Sequence, residues 1–262
     1  MPGTSEQLQF DAKASREMEA AYTSPMIVTR RKNALGLLNL KPGETVLDIG
    51  TGPGYLAFEA AQQVGPSGRV LAIDTSPDML ALARRRCADR PQVEVRESDA
   101  VSLPAPSGSI DAAIAVQIYE YVSAMPAALA ELHRVLRPGG RAVIVDIDWA
   151  SLVWEAADRA RAERIFCAWD EHLADPYLPR RLAPLLREAG FEVAKVEPYT
   201  MLNLSPEPFV VGLSKMIAHF VAGRGGVTRE EAAAWVEDIT ALDAQGRFFY
   251  SVTCYMFFAQ RV

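Results

Sequence analysis

The first 150 residues alternate between short apolar runs and longer segments with apolar residues at helical spacing. Short apolar runs bounded by glycine, proline or polar residues are typical of buried strands. Such runs predict strands at 44–50, 69–74, 93–98, 109–116 and 141–148. Helices are predicted between them, and Ser76 followed by Pro77 suits the start of one. This alternation indicates βαβ units and a parallel sheet covered by helices on both faces.

The second half of the chain changes character and becomes mainly helical. Helices are predicted at 151–173 and 179–190, a sixth strand at 191–198, a mostly helical insert at 206–244, and a closing strand at 248–262. Gly190 marks the end of the second of these helices. The pattern is therefore α/β throughout, with no internal repeat.

Composition narrows the classes of function. The chain has 262 residues, of which 50% are hydrophobic and 23% charged, and it carries a net charge of -6. An acidic chain repels a phosphate backbone, so we expect no nucleic-acid partner. Cys87, Cys167 and Cys254 are far apart, which predicts free thiols in a reducing cytoplasm and no metal site. The N-terminus lacks the apolar core of a signal peptide, and no apolar window is long enough to span a membrane.

The run "VLDIGTGPG" follows the first strand and carries three alternating glycines, Gly50, Gly52 and Gly54. A dinucleotide-binding turn has the spacing G-x-G-x-x-G, which would require a glycine where this chain has Tyr55. The third glycine comes one position early, and Asp48 precedes the set. Since pyrophosphate binding needs that last glycine, the spacing favours a cofactor without phosphate.

Polar residues also follow the next three strands, where a parallel sheet binds its ligands. Asp74 can accept two hydrogen bonds from a ribose diol, although NAD-binding proteins use the same group. Asp99 can accept from an adenine amino group while the N–H of Ala100 faces a ring nitrogen. Gln117 can line the other end of the cofactor. A nucleoside site is predicted at this edge.

Four motifs in order, "VLDIGTGPG", "AIDTSPDML", "SDAVSLP" and "HRVLRPGG", resemble those of class I S-adenosylmethionine-dependent methyltransferases. They are most similar to the ubiquinone and menaquinone biosynthesis C-methyltransferases, and the match covers roughly residues 30–148. The resemblance implies a doubly wound, Rossmann-like, seven-stranded and mostly parallel sheet of order 3-2-1-4-5-7-6, whose last strand is antiparallel. It also implies one domain over 1–262, with an N-terminal helical cover at 1–30 and a helical lid between strands 6 and 7.

The resemblance also implies the cofactor, S-adenosylmethionine, with S-adenosylhomocysteine as the product. Met79 would lie against the adenine and Gln117 would face the methionine part. Tyr22 and Arg30 would fold over the cofactor, near its carboxylate. The implied binding residues of the strand ends are Asp48, Gly50, Gly52, Gly54, Asp74, Thr75, Met79, Asp99, Ala100 and Gln117.

Candidate catalytic groups lie outside these motifs. Methyl transfer needs alignment and exclusion of water more than a fixed set of catalytic residues. His172 and Asp148 are candidate general bases, with a helix-end histidine and a turn residue as the structural alternatives. The segments 151–190 and 206–244 are expected to form the substrate pocket, although 206–244 also suits a homodimer contact. Aromatic residues that favour an apolar or aromatic small molecule are Tyr119, Tyr121, Trp149, Trp154, Trp169 and Tyr177.

Other functions stay open at this point. A protein that binds S-adenosylmethionine without catalysis would keep the same motifs. An NAD-dependent oxidoreductase is opposed by the glycine spacing and by the absence of a Tyr-x-x-x-Lys pair. A nucleic-acid methyltransferase is opposed by the acidic charge, and arsenite methylation by the scattered cysteines. The sequence does not indicate whether the accepting atom is oxygen, nitrogen or carbon.

Overall fold

The structure is a computed structural model that describes residues 21–262. Most of the predicted N-terminal cover, residues 1–20, lies outside the described residues. The described strands are β1 (Thr45–Ile49), β2 (Arg69–Asp74), β3 (Val93–Glu97), β4 (Ile110–Val116), β5 (Leu136–Trp154), β6 (Phe191–Asn203) and β7 (Tyr250–Arg261). The described α-helices are α1 (Pro25–Leu38), α2 (Tyr55–Val64), α3 (Pro77–Arg86), α4 (Met125–Val135), α5 (Arg159–Trp169), α6 (Pro179–Glu188), α7 (Pro208–Val221) and α8 (Arg229–Ala244).

The strands form one seven-stranded sheet in the order β3-β2-β1-β4-β5-β7-β6. Pairs among β1 to β5 are parallel, and β7 is antiparallel to both β5 and β6. The strand order reverses between β1 and β4, which is the switch point where such sheets bind ligands. The predicted fold class, strand order and antiparallel last strand are confirmed.

Adjacent residues of the central strands enter different cores, as the two-residue period of a strand requires. Val46 packs with Leu35 of α1 and Ala57 of α2, whereas Leu47 packs with Leu132 of α4 and Leu186 of α6. Both faces of the sheet are thus covered. This explains why the parallel strands are almost uniformly apolar.

The predicted helix at 151–173 is wrong in its first part. Strand β5 continues to Trp154, and helix α5 begins only at Arg159. The reason is tertiary, because Val153 and Trp154 pair with Ser251 and Tyr250 of β7 after an irregularity in the ladder. Pairing with a strand about a hundred residues away outweighs the local helical pattern.

Two other boundaries differ for the same reason. The strand predicted at 141–148 begins earlier, and the "RPGG" run belongs to β5, since Leu136 pairs with Ile110 ahead of a bulge. The predicted sixth strand extends to Asn203, because the antiparallel ladder with β7 continues to Tyr250. Among residues 21–262, no helix combines the length and the apolar character needed to cross a membrane.

Candidate functional site

The loop after β1 is organised around the buried carboxyl of Asp48. Its Oδ2 accepts a hydrogen bond of 2.6 Å from the Thr51 hydroxyl. Burial raises the pKa of Asp48 to about 7, and the Thr51 hydrogen bond only partly opposes that shift. Gly50 has a φ of 69°, and a Cβ there would lie 1.9 Å from Cδ1 of Ile118. The loop therefore turns within contact of the segment after β4.

Asp74 connects the ends of β1 and β2. Its Oδ2 accepts from the Gly52 N–H at 2.9 Å and its Oδ1 accepts from the Ser76 N–H at 2.9 Å. Burial raises the pKa of Asp74, while these N–H groups lower it. Each carboxylate oxygen can accept a further hydrogen bond. The pair of oxygens beside Gly52 suits a diol.

Gly54 has a different role from the other two glycines. It caps α2 with a φ of 83°, and a Cβ there would lie 2.8 Å from the Cα of Ala83 in α3. Its small size is thus required by the packing of two helices. Met79 is buried in α3, and Thr75 is exposed.

Asp99 and Ala100 follow β3 as predicted. Asp99 is exposed, and its Oδ1 accepts from the Val101 N–H at 3.1 Å, which is the local turn contact of an aspartate. Ala100 is buried. Both residues lie at the carboxyl end of β3, and their contact with adenine stays a prediction.

Arg30 of α1 meets Gln117 at the end of β4. The Gln117 Oε1 accepts a hydrogen bond from the Arg30 guanidinium, and the Gln117 N–H donates to the Val145 carbonyl at 2.7 Å. Gln117 has a φ of 56°, an uncommon value for a residue with a side chain. Arg30 is buried, and its Nε has no hydrogen-bond partner. The helix therefore brings a buried positive charge to the switch point.

Tyr22 covers the glycine loop. A Cβ on Gly52 would lie 3.4 Å from the Tyr22 hydroxyl, and the Tyr22 ring stacks on Tyr55 with centroids 5.8 Å apart. Arg31 donates to the Tyr22 carbonyl at 3.2 Å and pairs with Glu59 of α2 at 2.8 Å. The sequence reasoning missed the ion pair of Arg31 with Glu59. The signal for it was Glu59 itself, a charged residue in the otherwise mostly apolar helix α2.

His172 lies in a box of aromatic rings, in a short 3-10 turn after α5. The ring centroids of Trp169, Trp149, Tyr121 and Phe220 lie 3.7 to 5.8 Å from the imidazole centroid. Burial lowers its pKa to about 4. Its Nδ1 bonds to the Trp169 carbonyl, which leaves Nε2 buried with no partner. A neutral imidazole with a free acceptor nitrogen results, rather than the charged helix-end histidine of the structural alternative.

Asp148 does not have the surroundings of a general base. Both of its oxygens accept from the Arg180 guanidinium of α6, at 2.9 and 3.0 Å. The guanidinium thus occupies both carboxylate oxygens, which leaves neither open to a substrate. The ion pair opposes the base role that the strand end suggested.

The sequence reasoning missed two fully buried carboxyls, Glu120 and Asp146. Asp146 accepts from the N–H groups of Ile118 and Glu120, at 3.1 and 3.4 Å. Glu120 in turn accepts from the Ile147 N–H at 3.1 Å. The available signal was an aspartate at an interior position of the apolar run of β5.

The described cysteines are free, with Cys87 and Cys254 buried and Cys167 exposed. Within residues 21–262, no three histidine, cysteine or acidic side chains are grouped to hold a metal ion.

Comparisons with known proteins agree with this geometry. A family described as a methyltransferase domain matches residues 46–140. A 2-phytyl-1,4-naphtoquinone methyltransferase of Synechococcus elongatus is 39% identical over 207 residues, covering 78% of this chain and 81% of that protein. An arsenite methyltransferase of Halobacterium salinarum is 33% identical over 161 residues, covering 61% of this chain and 40% of that protein.

A solved structure shows the same fold. The geranyl diphosphate C-methyltransferase of Streptomyces coelicolor, whose crystals contain S-adenosyl-L-homocysteine, aligns with a TM-score of 0.56 and 16% identity. The alignment covers 90% of this chain and 79% of that one. The chain belongs to the class I S-adenosylmethionine-dependent methyltransferases. Within that class it lies close to the quinone-methylating group, and its cofactor is S-adenosylmethionine.

Proposed function

We propose that the chain methylates a small apolar or aromatic molecule, such as a natural product or a quinone-like compound. The aromatic box around His172 is the observation that carries this proposal. Tyr121 connects the box to the cofactor edge. Its ring lies 5.7 Å from that of His172, and its pKa is raised by burial and, to a lesser extent, by the charges of Glu120 and Tyr22. A wall of aromatic rings favours contact with a flat apolar acceptor.

The donor side of the site is proposed from the strand ends. Asp74 accepts the ribose hydroxyls, and Gly52 lets the cofactor approach beneath Tyr22. Arg30 offers its unpartnered Nε–H to the methionine carboxylate, next to Gln117. Adenine contacts are assigned to Met79, Asp99 and Ala100 from their positions after β2 and β3.

His172 is the proposed acceptor-facing group for a hydroxyl acceptor. The oxygen–methyl bond forms as the methyl–sulfur bond breaks, and the proton of the hydroxyl passes to Nε2 of His172. The oxygen becomes very acidic once it carries the methyl group, so an imidazole whose pKa is lowered to about 4 can still take the proton. The positive charge of the sulfonium ends on the imidazolium.

Helices α7 and α8, which lie in the predicted pocket segment 206–244, are proposed to form one wall of the acceptor pocket. Ile217 of α7 and Trp235 of α8 are fully buried, and Trp235 meets Trp154 with ring centroids 5.2 Å apart. The insert therefore buries an apolar face against its own chain. Its alternative use as a homodimer contact stays a prediction for the outer surface.

Arsenite is a less suitable acceptor. The Cys254 thiol lies against the Tyr199 carbonyl at 3.4 Å, and burial raises the pKa of Cys87 and of Cys254 to about 11. Thiols held in the protonated form are poor ligands for arsenic. Cys167 lies on the exposed side of α5.

The donor site is tested by replacing Asp74. Asp74→Asn retains one oxygen but loses the charge, so affinity for S-adenosylhomocysteine should fall by about 1.5–3 kcal/mol, the value of a hydrogen bond to a charged group. Calorimetric titration measures it. Asp78→Asn, an exposed carboxylate four residues further on, is the matched control and should bind as the parent does. Unchanged affinity in Asp74→Asn would remove Asp74 from the site.

The acceptor class is tested by turnover with a labelled methyl donor. Quinols and phenols should be methylated, and His172→Phe should lower kcat at least tenfold while leaving affinity for S-adenosylhomocysteine near that of the parent. Turnover restricted to charged amines would contradict the proposed acceptor class.

A further inference from the structure

Glu120 and Asp146 lock the segment after β4 to the end of β5. The carboxyl of Asp146 holds the N–H groups of Ile118 and Glu120, and the carboxyl of Glu120 holds the N–H of Ile147. Two of these three hydrogen bonds run from the segment after β4 to β5, and the third runs from β5 to that segment. The segment they hold begins at Gln117, which contacts Arg30.

Each carboxyl also has one oxygen with no partner. Oε1 of Glu120 and Oδ2 of Asp146 are buried without a hydrogen bond of normal length, and the Trp149 indole N–H lies close enough to Glu120 to lower its pKa. Two buried carboxylates with unpaired oxygens would repel each other and would both lose hydration. One bound proton removes one of the two charges. The remaining negative charge then balances the buried guanidinium of Arg30.

The pKa shifts of Glu120 and Asp146 agree with one proton bound by the two carboxyls. Burial raises the pKa of Glu120, and the charge of Asp146 raises it further. Burial also raises the pKa of Asp146 to about 7, against the lowering effect of two N–H groups and of Arg30. The charged or titratable groups around the pair are Arg30 of α1, Tyr119 and Tyr121 after β4, Asp175 before α6 and Cys254 of β7.

We propose that Glu120 and Asp146 share one proton and act as a positioning pair. The pair holds the segment Gln117–Glu120 against β5 and keeps Gln117 and the charge of Arg30 in place for the methyl donor. The effect on donor binding rests on the proposed donor site, whereas the shared proton does not. The two parts are therefore tested by separate measurements.

The shared proton is tested by the pH dependence of unfolding. A carboxyl whose pKa is raised in the folded state binds its proton more tightly there, so stability falls as pH rises from the ordinary value of 3.8 towards about 7. Glu120→Gln and Asp146→Asn each replace the protonated partner by a neutral amide. In both, melting temperature relative to the parent should rise as pH increases from about 5 to about 8.

Asp111→Asn is the matched control at the opposite end of β4. Burial would raise the pKa of Asp111, but the Thr45 N–H and the Arg137 guanidinium outweigh it and lower the pKa. The difference in melting temperature between Asp111→Asn and the parent should therefore stay constant over the same pH range. If the differences in melting temperature for Glu120→Gln and Asp146→Asn are also constant with pH, the proposal of a shared proton is overturned.

Positioning is tested by affinity for S-adenosylhomocysteine across the same pH range. The parent should lose affinity above about pH 7 as the pair loses its proton. Glu120→Gln should keep its affinity and bind at least threefold tighter than the parent near pH 9. Glu120→Leu has no acceptor for the Ile147 N–H and should bind at least tenfold more weakly at every pH, which Glu120→Gln rescues.

The failures of the two proposals are distinguishable. If the donor site is assigned wrongly, neither Asp74→Asn nor Glu120→Leu changes the affinity for S-adenosylhomocysteine. The melting temperatures of Glu120→Gln and Asp146→Asn still rise with pH relative to the parent. If only the pair is assigned wrongly, Asp74→Asn still weakens binding, and Glu120→Gln follows the pH dependence of the parent.

Discussion

Asp48, Glu120 and Asp146 are fully buried carboxyls at one edge of the sheet. Asp48 and Asp146 accept hydrogen bonds from the segments after β1 and β4, and Glu120 accepts one from β5. Each has a raised pKa because burial disfavours its charge. Buried ionisable groups of this kind concentrate at functional sites. At the residue scale, these three carboxyls bind protons more readily than ordinary carboxyls do, whereas the buried imidazole of His172 is unprotonated at neutral pH.

His172→Phe tests the imidazole at this scale. The pKa of His172 falls from 6.5 to about 4 on burial, so the unfolded chain binds the proton first as pH drops. The parent should lose about 3 kcal/mol of stability between about pH 6.5 and about pH 4 from this group. Phenylalanine keeps the aromatic packing and removes that loss. Denaturant unfolding at several pH values measures the difference, and parallel curves would refute it.

At the element scale, the loops between strands and helices set the approach distances. α2 starts directly after the glycine loop, and α3 packs against Gly54 through Ala83. α1 closes the site through Arg30 and is fastened to α2 by the ion pair of Arg31 with Glu59. The cofactor edge is therefore held by three helices on one face of the sheet.

Two glycines allow a matched test of this packing. Gly54→Ala places a Cβ at positive φ and 2.8 Å from the backbone of α3, which cannot move like a flexible side chain. We expect a loss of about 2–4 kcal/mol from backbone strain and overpacking together. Gly36 lies in α1 with open space around it, so Gly36→Ala should gain about 0.5–1 kcal/mol. Urea midpoints compare the two, and equal effects would contradict the packing role of Gly54.

At the scale of the whole molecule, one sheet carries both halves of the site. The central strands β1, β2 and β4 present the loops of the proposed donor site, and β5 and β6 lead to the helices that carry Trp169 and Phe220 of the aromatic box. Under the proposed function, the buried box around His172 would keep water away from the methyl donor, as methyl transfer requires.

Ligand-induced stabilisation tests the cofactor class for the intact protein. S-adenosylhomocysteine at about a hundred times its dissociation constant should add about 2.7 kcal/mol of stability. For a chain of this size, that raises the melting temperature by roughly 5–10 °C. NAD at the same concentration is the control and should produce no shift, since Tyr55 stands where a dinucleotide turn needs glycine. A shift with NAD alone would contradict the assignment.

The fold and the donor motifs were readable from the sequence because they depend on local patterns. Apolar runs of strand length alternated with helices, and the position of Gly54 relative to Gly50 and Gly52 separated this cofactor from a dinucleotide. The mistaken helix over 151–173 shows the limit, because its first residues satisfy a helical pattern but pair with β7 instead.

The sequence by itself determined the order of elements, the acidic surface and the residues at the strand ends, since each follows from neighbours along the chain. Only the tertiary structure decided which carboxyl of β5 is ion-paired with Arg180 and which is buried beside Glu120, and whether His172 carries a charge. Those properties depend on burial and on partners from distant segments. Asp146 and Asp148 are two residues apart in β5 and lie on the same face of the sheet, so they differ only in the partners that the fold brings to each of them.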